Sequence, residues 1–180
     1  MGNFSSAAAR GAMALSGALL GALAYADPAP WDGPFGVQMG LSRDEIGAVV
    51  ELTPQYGVPN EYSAKTAPRP NQGFVNYVYQ IAPGAGLCRV RSETSYGPRK
   101  ATDRSFEAFY QRLTRKYGKP SAETENKSAV WAKGALPKDV RSITLAVATT
   151  FTAGSAVQLS YRFRNSASCE RPPVVDGRAL

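Results

Sequence analysis

The chain has 180 residues, 21 Lys or Arg against 14 Asp or Glu, a formal net charge of +7, two cysteines and no histidine. The missing imidazole excludes Ser-His-Asp and Cys-His nucleophile systems and zinc sites built on histidine, and two cysteines cannot make a four-thiolate site. The length suits one domain, or two half-domains sharing a core.

Residues 1–26 read as a cleaved secretory signal. Arg10 is the one charge ahead of the apolar stretch 11–23, and the chain then reads Ala24-Tyr25-Ala26-Asp27. That apolar stretch is shorter than the roughly 20 residues a spanning helix needs, so the reading is export rather than anchoring. Asp27 stands where a lipoprotein would carry cysteine. The expected location is therefore periplasmic or secreted, with cleavage after Ala26 and no transmembrane segment in the mature chain. Losing Arg10 lowers the net charge to +6.

Residues 27–34 form an extended, Pro-rich lead, followed by a first repeat over 35–95 and a second over 96–169, with a flexible tail at 170–180. The repeat rests on an offset of 61: Phe35-Gly36 against Tyr96-Gly97, Leu52 against Leu113, and Tyr56-Gly57-Val58-Pro59 against Tyr117-Gly118-Lys119-Pro120. Each copy opens with a helix. In the first, Ser42 and Glu45 have capping-box spacing, Ile46, Val49 and Val50 share a face, and Pro54 should end the helix near Thr53. In the second, Asp103 is the expected cap, and Phe106, Phe109, Tyr110, Leu113 and Tyr117 make an apolar stripe that Gly118 and Pro120 terminate.

Three strands are expected after each helix, at 61–66, 74–82 and 87–93, then at 129–133, 142–151 and 156–165. Pro83-Gly84-Ala85-Gly86 and Thr152-Ala153-Gly154-Ser155 read as the hairpin turns. The expected fold is α+β, a tandem helix-plus-three-strand repeat with two helices packed on one side of an antiparallel sheet sharing one core. Alternation places Leu159, Tyr161 and Phe163 opposite Arg162 and Arg164, and sets Arg89 and Arg91 together, so a cationic sheet face for an anionic partner is one reading. A solvated outer face is the other.

In an oxidising compartment Cys88 and Cys169 read as a disulfide. Seven cations from Arg99 to Lys119 surround only Asp103 and Glu107. That patch either meets an anion or complements a helix C-terminus. The acidic pairs Asp44-Glu45 and Glu123 with Glu125 fit a helix start and a polar connection better than a catalytic dyad, and no phosphate-binding loop is present.

The run Gly40-Leu41-Ser42-Arg43-Asp44-Glu45-Ile46 followed by Tyr56-Gly57-Val58-Pro59 resembles the opening of small exported domains. These are the small outer-membrane assembly lipoproteins and the tandem-repeat β-lactamase inhibitor proteins. The resemblance implies helices on an antiparallel sheet and protein binding without catalysis. The chain departs from it in lacking a lipidated cysteine and in having one cysteine per copy. The expected function is a monomeric, non-catalytic binding or envelope-assembly module without metal or cofactor. Its partner would be an envelope protein or an anionic envelope component rather than nucleic acid. An envelope enzyme using carboxylate or Ser-Lys chemistry is the alternative, and a packing role in stress a third.

Overall fold

A computed structural model describes residues 31–170; the expected signal peptide, its expected cleavage site and most of the tail lie outside the described residues. Over the described residues the fold is α+β: one open antiparallel sheet of eight strands and three helices. A 3-10 turn at Pro34–Gly36 precedes helix α1 (Arg43–Gly47) and strands β1 (Thr53–Pro54), β2 (Glu61–Ala64), β3 (Phe74–Ala82) and β4 (Gly86–Thr94). Helix α2 (Arg99–Tyr117) leads into β5 (Ala122–Thr124), β6 (Ser128–Trp131), β7 (Val140–Thr150) and β8 (Gly154–Phe163), and α3 (Ala167–Glu170) follows.

Strand order across the sheet is β1-β2-β3-β4-β8-β7-β6-β5. Each half of the chain therefore contributes four consecutive strands, one more than the sequence signals, and β4 pairs with β8 at the centre. The additional strands are the two edges. Both are too short for alternation to register in sequence, and shortness is also what keeps a sheet edge from templating aggregation.

Two helix boundaries differ from expectation. The Ser42 capping box is present, with Glu45 N–H donating to Ser42 Oγ at 3.2 Å and Ser42 N–H to Glu45 Oε2 at 2.8 Å. Helix α1 nevertheless stops at Gly47, well before Pro54. Helix α2 starts after Pro98, whose extended backbone is pre-set for a helix entry, and Asp103 lies inside it. Asp103 instead accepts a charge-assisted bond from Arg99 one turn earlier, at 2.9 Å.

The core lies on one face of the sheet. Successive residues alternate, so Tyr77, Tyr79, Val90, Leu159, Tyr161, Ile143, Leu145 and Trp131 all point the same way and are buried. The α2 stripe of Phe106, Phe109, Leu113 and Tyr117 closes over them. Phe109 stacks on Phe74 with ring centroids 4.7 Å apart, and Trp131 Nε1–H donates to Gly118 O at 2.8 Å, fixing the helix end to the sheet. From α1, Ile46 is the buried contribution.

The landmarks spaced 61 residues apart do not occupy matching places. Tyr117-Gly118 closes a long helix, whereas Tyr56-Gly57 lies in an exposed loop before β2. A different pair of matches is visible. Gly40 N–H donates to Leu87 O at 2.9 Å, and a side chain on Gly86 would lie 2.0 Å from Gly40 O. Gly97 exchanges backbone bonds with Ser155, and a side chain on Gly154 would lie 2.6 Å from Gly97 O. In both halves a glycine ahead of the helix thus packs on the glycine that opens the final strand.

Cys88 and Cys169 form a disulfide, with Cα atoms 6.3 Å apart. Gln80 pairs with Arg89 and Ile81 with Leu87, which makes Cys88 the extra residue of a bulge. A bulge re-aims side chains, and here it carries the sulfur that holds α3. Asn165 reinforces the tether by donating to Ala85 O at 2.9 Å and Leu87 O at 3.1 Å.

Candidate functional site

The sheet face opposite α2 carries the cations singled out in sequence. One row across it reads Glu61, Gln80, Arg89, Arg162 and Ser142, and the next reads Ser63, Val78, Arg91, Ser160 and Thr144. Arg89 and Arg162 are directly opposed across the central seam, and Arg91 stands two residues along from Arg89. Arg164 does not join them. It follows the last residue of β8, is exposed, and its N–H donates to Asp139 O at 2.9 Å.

Like charges facing each other across a ladder are destabilising unless something compensates. Arg89 Nε–H donates to Ser160 Oγ at 3.0 Å, and Arg162 pairs with Glu170 of α3. Arg91 Nε lies 3.4 Å from Glu93 Oε1 but makes no hydrogen bond, so this pair is held by charge rather than by geometry. Glu93 Oε1 is taken by Gln158, which donates to it at 2.8 Å. Burial, then Arg91 and Arg162, draw the Arg89 guanidinium below its ordinary value, with Glu61 opposing. An arginine remains cationic regardless.

Among the described residues no carboxylate lies within 4.0 Å of Arg89. It is a partly desolvated cation whose fork keeps donors for a planar oxyanion. Sequence alternation found the arginines. It missed Glu93 and Glu170, because their roles depend on the β4–β8 register and on where α3 docks.

One member of each acidic pair considered as catalytic has a structural partner. Glu45 caps α1, and the two Ser42 bonds hold its carboxyl below the usual carboxylate range. Glu123 Oε1 accepts from the Tyr110 hydroxyl at 2.6 Å, which raises the Tyr110 pKa. No family model, curated protein or solved structure matches this chain. The site therefore has to be read from its own chemistry.

Two aromatic side chains stand clear of the fold. Tyr56 in the β1–β2 loop and Phe151 at the tip of the β7–β8 hairpin have relative exposures of 105% and 111%. The sequence reading placed Phe151 at the end of a strand; the ladder instead closes at Thr150 and Gly154.

Proposed function

We propose that the chain is an exported, non-catalytic binding module of the cell envelope, in which two copies of one helix-and-strand unit build a single sheet. The observation that carries the binding reading is the sheet face opposite α2, with Arg89, Arg91 and Arg162 gathered at its centre. This face carries only the short helix α3 at one end, and its central cation Arg89 keeps donors unused among the described residues; it matches an acidic surface on a protein or an anionic envelope polymer.

Duplication is supported by the mirrored strand order and by the two glycine contacts, Gly40 with Gly86 and Gly97 with Gly154. Export is supported by the leader pattern at 1–26 and by the disulfide, a bond that persists in oxidising compartments. Among the described residues no helix is long and apolar enough to cross a membrane.

The test is chemical crosslinking in the envelope of producing cells, comparing wild type with a variant carrying Arg89→Ser, Arg91→Ser and Arg162→Ser. Loss of defined crosslinked species with an unchanged circular dichroism spectrum supports the reading. Unchanged crosslinking, or intact mass showing a retained leader instead of an Asp27 terminus, rejects it.

A further inference from the structure

On the other side of the sheet, α2 and three connecting segments border an open cleft of about 500 Å³, within the size range of small-molecule sites. Three cations line it. Arg69 comes from the loop between β2 and β3, while Arg112 and Lys116 come from successive turns of α2. Among the described residues one carboxylate, Asp32, lines the cleft to oppose them, fully exposed and 3.9 Å from Arg69. Among the described residues neither Arg112 nor Lys116 has a carboxylate within 4.0 Å.

The arrangement costs stability in two ways. Like charges at i,i+4 repel, and Arg112 and Lys116 have that spacing. The helix dipole favours Lys116 in the last turn, yet it explains neither Arg69 on a separate loop nor the cleft. Phe35, which forms part of the wall, is held at φ 55° and ψ 20°, a left-handed conformation that bulky side chains rarely adopt. Such strain persists only where surroundings enforce it, and it clusters at binding sites.

What enforces it is visible: the Phe35 ring meets Phe74, Tyr77 and Tyr161 edge-on at 5.3–5.9 Å, and its carbonyl accepts from Arg69 N–H at 2.9 Å. The strained residue therefore fixes the backbone position of one cation of the cleft. Arg112 and Lys116 are steadied by the rings of Phe109 and Tyr117, at 5.9 and 5.2 Å.

We infer that this cleft binds a small molecule bearing a phosphate or carboxylate group, with the oxyanion among Arg69, Arg112 and Lys116 and its body against Phe35 and Tyr161. The site is separate from the cationic sheet face, and each can fail without the other.

The experiment is titration calorimetry of the mature protein at low ionic strength with sodium pyrophosphate and, separately, with citrate. The variants are Arg69→Gln, Arg112→Gln and, as a control outside both cationic sites, Arg43→Gln on the exposed side of α1. Saturable 1:1 binding of either probe, weakened about tenfold or more in both cleft variants and within about twofold of wild type in the control, is the expected result. The probe that binds identifies the head group. Binding of neither probe overturns the inference, as does equal weakening by Arg43→Gln or no change in the cleft variants. Amide shift mapping on the unmodified protein decides the matter if a variant fails to fold. Perturbations at 33–35, 69–72 and 112–117 support the site, and perturbations centred on 89–91 and 160–162 overturn it.

Discussion

Gly86 shows how much a missing side chain can specify. Its φ is +68°, and a Cβ there would sit 2.0 Å from Gly40 O and 2.4 Å from Gly40 C, both backbone atoms that cannot rotate aside. Gly57 also has a positive φ, +76°, but nothing lies within 4 Å of its would-be Cβ. The pair separates two costs that are usually confounded. Gly57→Ala should lose about 1 kcal/mol, the price of a left-handed alanine. Gly86→Ala should lose that and more, about 3 kcal/mol in total, since the β4 start and the approach to α1 must also move apart. Urea unfolding of both variants measures the difference, and equal losses would show that the backbone contact with Gly40 contributes nothing.

At the scale of elements, helix α2 was legible in the sequence because its stripe is long enough for helical periodicity to show, and the four longest strands because they alternate. Helix α1 was legible only at its start. The Ser42–Glu45 box announces where it begins, but Pro54 is a poor guide to its end, since the helix stops several residues earlier. Edge strands β1 and β5, with two and three residues, carry no periodicity at all. The disulfide partners and sheet arginines could be named from compartment logic and alternation. The cleft could not, because Arg69 comes to line it beside Arg112 only through the loop that Phe35 holds. Among these elements α2 supplies most of the cover for its half of the core, and Phe109, 8% exposed and stacked on Phe74, is its central contact. Phe109→Ala should cost about 3–5 kcal/mol by lost burial and a cavity, whereas Gln111→Ala, on the exposed side of the same helix, should stay within about 0.5 kcal/mol. Thermal and urea denaturation of the two variants gives the comparison.

The whole molecule turns on the β4–β8 seam, the ladder that joins the first four strands to the last four. The seam is stitched in three ways: by backbone pairing, by Ser92 Oγ donating to Leu159 O at 3.3 Å in the buried layer, and by the disulfide beyond its end. The core runs without interruption through residues of both halves, so the molecule should unfold in a single transition. The disulfide spans a sequence separation of 81, for which chain entropy gives about 4.5 kcal/mol. Replacing both cysteines with alanine, or reducing the wild type, should therefore lower unfolding free energy by about 2–5 kcal/mol while the sheet survives. Its other effect is local: α3 loses its covalent tether, and Arg162 its fixed partner Glu170. Urea melts followed by circular dichroism and by tryptophan fluorescence, with and without reductant, test both parts. Coincident curves shifted to lower urea are expected. Separate transitions for the two probes would mean that the sulfur bond, rather than the continuous core, makes the halves cooperate.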